Sequence, residues 1–475
     1  MDVELCHLPA VEQRALLRSG QLSARELLQN SLERIEQVNP VLNAVVTLDP
    51  EGALRQATAA DEAFVHREDL PPLHGLVMAH KDLLATGGMR TTWGCRLFAD
   101  HVPAADAHAA ARMAQAGAVR VGKTNVPEFG LGSHTVNPVF GSTGNPYAPD
   151  RSAGGSSGGA AAALASGMVS LADGGDMGGS LRNPASFCNV VGLRPPVGRV
   201  TQAPVERGGW PDLAVLGPMG RTVADTALLH GVLSGFDPAD PNSVPGTGAE
   251  FLALAEESPR DQWPHLRVAW TSDLGGLPVD PEVTAVLEER GRSALERLGA
   301  TVDDWAADFR GADVAFHTIR AWSVAGRLGP MYREHADLLG ANLRADVEEG
   351  FQVTADDLYR AIRLQAAVRA RVLAAFDHAD VLAMPTVQLP PFPIGWDWPH
   401  EVAGVAQGHY LTWMRSCWYI TLTGLPAISV PCGFTSGGLP VGLQLVGQPY
   451  GEVDLLRVAA SFELVDPAGA RRPRL

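Results

Sequence analysis

The chain alternates segments of helical and strand period for most of its length. Between Ser23 and Val38, Leu28, Leu32 and Ile35 recur on one face among charged and polar positions, which predicts an amphipathic helix. Ser23 with Glu26 three residues on makes a capping box at its start, and Asn39-Pro40 predicts its end. The apolar run LVMAH at 76–80 reads as a buried strand that leads into Lys81-Asp82. A helix is predicted over 107–116, stopped by Gly117, followed by the short strand AVRV. Residues 130–153 have no period and are rich in Gly, Pro, Asn and Ser, so they read as a long loop, a length that is usually functional. From 266 the alternation is regular: strand LRVAW, a helix with Val283, Val286, Leu287 and Leu298 apolar and Gly299 at its end, strand TVDDW. Residues 312–376 are strongly helical, with Leu358, Ile362, Val368 and Phe376 among the apolar positions. DVLAMP, from 380, returns to strand. Gly-punctuated alternation of this kind indicates an α/β fold.

One stretch breaks the pattern. Residues 154–184, GGSSGGAAAALASGMVSLADGGDMGGSLRNP, join two serine-bearing glycine turns by a run of small residues. Without bulky side chains, that run can lie close against other backbone. Glycine beside serine permits unusual dihedrals and leaves main-chain N–H groups free to meet a developing oxyanion. A flexible linker would be polar throughout, whereas this run is apolar inside.

Composition narrows the partners. A formal net charge of −16 argues against nucleic acid or an anionic membrane surface. Five scattered cysteines without a CxxC fit free, mostly buried thiols in a reducing compartment, hence a cytoplasmic protein. The histidines form no HExxH or close cluster, so no metal is expected. No secretory leader is evident in MDVELCHLPAVEQ, and no apolar run is long enough for a membrane span.

The glycine-serine stretch resembles the core of the amidase signature family, G-G-S-S-G-G followed by D-x-G-G-S-x-R-x-P. Ser156 and Ser180 are 24 residues apart, as in that family. The resemblance extends to Lys81-Asp82, 75 residues before Ser156, to GKTNVPEF at 122–129, and to VVGLRPPVGRV at 190–200. PT at 385–386, LTGLPAISVPCG at 422–433 and the last strands and helix over 438–463 also match. The resemblance implies a single α/β domain over 1–475, a mixed central sheet covered by helices on both faces. Its signature core spans about 73–200, a variable helical region that covers the substrate about 305–376, and closing elements about 420–463.

It also implies the chemistry. Ser180 would be the nucleophile, Ser156 the bridge and Lys81 the base, with a cis peptide bond between Gly155 and Ser156. The N–H groups of Met177, Gly178, Gly179 and Ser180 would form the oxyanion hole, and Gly130, Leu131 and Gly132 would line the acyl side of the substrate. Lys81 must be neutral to act, which burial without a carboxylate partner favours. Strand alternation turns Asp82 and His80 to the face opposite Lys81, so His80 reads as a core histidine. Asp176 and Arg182 are expected to brace the serine turn, and the Ser157 hydroxyl to support the surroundings of Ser180. Gly175 stands where the family commonly has threonine, removing a hydroxyl expected near the relay. The substrate would be a small amide or carbamate, apolar or aryl, with no cofactor; a homodimer is the oligomer the resemblance suggests. Trp413 and Trp418 are candidates to flank the entrance, whereas Trp322, Tyr332 and Phe351 are candidates to line a pocket and read first as core.

Three rivals share some of these letters. Gly117, Gly122, Lys123 and Thr124 satisfy GxxxxGK[ST], but the strand lies between the glycines and not before them, so no phosphate cradle follows. GxSxG fits around Ser156 and Ser157, but a nucleophile elbow needs a strand immediately before it. The amidase subunit of a glutamine-dependent amidotransferase belongs to the same family, and a carbamate or ester hydrolase would use the same residues.

Overall fold

A computed structural model describes residues 3–66, 69–204 and 213–475. Eleven strands form one sheet. In chain order they are β1 (Val45–Leu48), β2 (Val77–Lys81), β3 (Val119–Thr124), β4 (Leu171–Asp176), β5 (Val191–Arg194), β6 (Val215–Gly220), β7 (Arg267–Trp270), β8 (Thr301–Asp304), β9 (Val381–Pro385), β10 (Ala427–Phe434) and β11 (Pro440–Val446). Their spatial order is β1-β3-β2-β4-β6-β5-β10-β11-β9-β7-β8. β3, β2 and β4 run parallel, as do β9, β7 and β8, and the other pairs are antiparallel. The sheet is therefore mixed, as expected. Every residue of β2, β9 and β11 is buried, which requires cover on both faces.

The small-residue run forms helix α2 (Gly158–Ala165), buried at every position. It packs against β1, β2, β3 and β4, and its glycines let it do so at close range. A Cβ on Gly159 would lie 2.3 Å from the Asn125 nitrogen and 2.7 Å from the Ala44 carbonyl oxygen. The helix thereby places its N-terminal residues, which follow Ser156 and Ser157, over the end of β2 where Lys81 sits.

Several local expectations are corrected. Helix α1 (Ala24–Leu42) starts at the expected capping box but continues through Pro40 to an Asn43 cap in the left-handed region. Asn39 makes this end viable: its side chain accepts the N–H groups of Ala44 and Val45 and donates to the Val45 carbonyl. The helix over 281–299 contains a π-helical segment, Leu287–Arg292. The 130–153 loop is built from two short antiparallel ladders, too short to show a period. Residues 312–376 divide into α4 (Ala312–His335), α5 (Ala341–Phe351) and α6 (Ala355–Ala375). Trp322 and Phe351 are exposed on this helical region, at 39% and 40%, so these two are not core, whereas Tyr332 is half-buried against an apolar cluster and bonds Glu348. Conversely, Trp413 and Trp418 are fully buried and flank no entrance: their rings stack on Phe187 and Phe316. All five cysteines are free and buried. Among the described residues no helix is long and apolar enough to cross a membrane.

Substituting Gly159→Ala tests the close packing of α2. The strand backbone under it cannot yield, so a loss of about 1–3 kcal/mol is expected, read as a lowered urea midpoint at unchanged slope.

Candidate active site

Lys81 closes β2, and burial leaves it 2% exposed. Its Nζ lies 2.8 Å from Ser156 Oγ, 2.7 Å from Ser157 Oγ and 3.4 Å from the Gly175 carbonyl. Among the described residues no carboxylate bonds this Nζ. Burial drives its pKa down to about 7, against a smaller upward pull from Asp173 and Asp176. Asp82 turns away, as alternation predicts, and accepts the hydroxyl and N–H of Thr92. Lys123, the lysine of the phosphate-loop letters, sits inside β3, donating to the Leu84 carbonyl and Thr86 Oγ1; no loop exists there to hold a phosphate.

The Gly155–Ser156 peptide bond is cis. The Gly155 N–H donates to Asn183 Oδ1 at 2.9 Å, which ties this turn to helix α3 (Arg182–Cys188). The Ser157 hydroxyl meets the base itself, sharing Lys81 with Ser156. Gly130 borders the same group. It has φ +75°, and a Cβ there would meet Leu83 Cδ1 at 2.9 Å and Ser156 Oγ at 3.3 Å. Of the other expected substrate residues, Leu131 packs with Val324, Leu328 and Leu343 in a second apolar cluster under the helical region, and Gly132 lies against Pro127. Glu128, which the sequence did not single out, accepts the N–H of Gly340 at the start of α5 at 2.7 Å and so ties the loop to that region.

Ser180 follows β4 on a tight turn and is 7% exposed. The turn is organised by Asp176. Its carboxylate accepts the N–H groups of Gly179 and Leu181 and both Nε and a terminal nitrogen of Arg182, at 2.8–3.2 Å. Arg194 adds a third cationic contact at 3.3 Å. Burial alone would raise the Asp176 carboxyl, but Arg182 and then Arg194 hold it below the ordinary carboxylate range. Arg182 also bonds the Cys417 carbonyl, Gln444 and Thr421. Bracing by Asp176 and Arg182 was expected; the donation of the Gly179 N–H to Asp176 was not. The Gly179 N–H, expected in the oxyanion hole, is thus directed at a carboxylate. The N–H groups of Met177, Gly178 and Ser180 meet no hydrogen-bond partner among the described residues. Gly179, at φ +111°, can be nothing larger, since a Cβ would sit 2.3 Å from Cys417 Cβ. A Cβ on Gly178 would face Met414, Leu411 and Phe316 at 3.3–3.9 Å, which marks an apolar wall beside the turn. At Gly175 a side chain would meet Val215 and Leu216 of β6 at 3.5–3.7 Å, so a threonine there would start toward β6 and not toward the relay.

The match to the Amidase family model covers residues 26–456. The chain belongs to the amidase family. An acylamidase of Rhodococcus erythropolis is 36% identical over 98% of this chain and 97% of its own. One of the subunits of the glutamyl-tRNA(Gln) amidotransferase of Moorella thermoacetica is 35% identical over 100% and 99%. Among solved structures, a bacterial aryl acylamidase of the amidase signature family superposes with a TM-score of 0.89 at 29% identity, covering 98% and 99% of the two chains. As an amidase the chain is a hydrolase of carbon–nitrogen bonds, built on the same α/β architecture.

Removing Arg182 leaves a buried carboxylate under the turn. Arg182→Met is expected to cost about 3–5 kcal/mol, measured by chemical denaturation.

Proposed function

We propose that this amidase cleaves a carboxylic amide through an acyl-enzyme on Ser180. One observation carries the reading: a buried lysine, whose amine meets no carboxylate among the described residues, stands 2.8 Å from the serine of the glycine turn. The neutral amine has a lone pair for the Ser156 proton. As Ser180 Oγ attacks the carbonyl carbon, its proton passes to Ser156, whose own proton passes to Lys81. The carbonyl oxygen gathers negative charge against the free N–H groups of Met177, Gly178 and Ser180. Collapse of the tetrahedral intermediate breaks the C–N bond. The departing amine takes its proton back through Ser156 from the Lys81 ammonium. Water then attacks the ester by the same relay and releases the acid and Ser180.

The apolar wall of Phe316, Leu411 and Met414 beside Gly178 favours an apolar or aryl substituent. The likeness to an acylamidase and an aryl acylamidase supports an aryl amide first and an aryl carbamate second. The full-length likeness to one chain of an amidotransferase carries a different reading, in which partner chains are required. Turnover of a simple anilide by the isolated chain separates the two.

Ser180→Ala, Ser156→Ala and Lys81→Ala should each lower kcat for a chromogenic anilide by about 10²-fold or more. An unchanged rate for Ser180→Ala would overturn the nucleophile assignment. Because the base works neutral, kcat/KM should rise with pH and reach half its plateau near the Lys81 pKa of about 7, the ammonium form below it being inactive.

A further inference from the structure

On the face of the sheet opposite Ser156, β2 and β4 bring together two groups that the relay does not use. The register sets Ala79 beside Ala172, so His80 lies next to Asp173. His80 Nδ1 is 2.6 Å from Asp173 Oδ1, and both side chains are buried, at 0% and 4% exposed. The other carboxylate oxygen, Asp173 Oδ2, accepts the backbone N–H of Lys81 at 3.2 Å. His80 Nε2 is buried without a hydrogen-bond partner, so the imidazole is committed to this one carboxylate.

Among the described residues, the charges that act on Lys81 are Asp173 and Asp176, both from β4. They are not equivalent. Asp176 is neutralised by Arg182 and Arg194. Asp173 has no guanidinium and is bonded by the imidazole and one main-chain N–H. Of the other charged groups on its face, Lys123, beside His80 on β3, donates to Leu84 and Thr86 and acts on Asp173 through space without bonding it, and Asp82 is bonded by Thr92. Helix α2, packed on the Lys81 face, and strand β6 carry no charged residue. A lone buried carboxylate beside the base would favour its ammonium form and stop the relay. The imidazole is the side chain that hydrogen-bonds that carboxylate directly.

We propose that His80 and Asp173 are positioning residues for Lys81: Asp173 fixes its main chain, and His80 offsets the Asp173 charge so that the amine can stand neutral. This rests on the reading of Ser180, Ser156 and Lys81 as the relay. It also revises the view of His80 as a core histidine only, since its one partner is a group that bears on the base.

The test is the pH dependence of labelling by a fluorophosphonate, followed by intact mass and peptide mapping. Ser180 Oγ bonds phosphorus, the P–F bond breaks, fluoride leaves, and the serine proton passes through Ser156 to Lys81. The readout needs no knowledge of the substrate. Asp173→Asn keeps an acceptor for the Lys81 N–H but removes the charge. The labelling midpoint should then move down by about one pH unit, a roughly tenfold gain in rate well below the wild-type midpoint. His80→Leu removes the hydrogen bond to the carboxylate, so the midpoint should move up. The double variant should follow Asp173→Asn, because His80 acts through Asp173. Either single variant that folds by circular dichroism carries the test. Midpoints that overlay the wild type, with Ser180 labelled throughout, overturn the inference and leave the relay standing. Wild type that is not labelled at Ser180 overturns the relay and this inference with it.

Discussion

The ion pair between Asp176 and Arg182 is the contact on which the site depends. A carboxylate and a guanidinium are both taken fully out of water here, which is favourable only when nearly every lone pair and proton is satisfied. They come close to that limit. Asp176 ends β4 and gathers the N–H groups of the turn, while Arg182 starts α3 and reaches Cys417, Thr421 and Gln444. Those partners lie on α7 (Arg415–Thr423) and on β11, more than 230 residues away in the chain. The turn that carries Ser180 is thus clamped between the early and late halves of the molecule, and its geometry is inherited from the assembled sheet.

The second constraint is the opposite in kind. Lys81 is buried with hydroxyls and a carbonyl for partners, so its charge is costly and its amine is held near neutrality. The protein pairs one carboxylate near it with arginine and hydrogen-bonds the other to histidine, and the lysine is left as the group free to exchange a proton. Two acids on one strand, three residues apart, therefore have separate duties: one holds a turn, the other lies behind a base.

Much of this was legible in the sequence. The capping box at Ser23, the buried strand into Lys81, the small-residue helix and the lysine–serine–serine spacing all follow from local pattern and motif. Where the reading failed, the cause was tertiary. α1 runs through Pro40 to an end that the Asn39 side chain secures by bonding Ala44 and Val45 beyond it. Trp322 and Phe351 look like core residues but lie on helices that pack on one another and on α7 with their other faces, whereas Trp413 and Trp418 are stacked inside. Gly179 looked like a free donor because sequence cannot show where a neighbouring carboxylate points.

The sequence by itself determined which groups would meet. Period, glycine placement and motif spacing are local properties, and local sterics are enough to specify a strand ending in lysine or a serine flanked by glycines. The tertiary structure alone decided the state of those groups. Whether Lys81 is charged, which N–H groups of the Ser180 turn remain open, and that His80 faces Asp173 depend on burial and on partners from distant strands. Desolvation and Coulomb terms act through space, and no period in the chain encodes them.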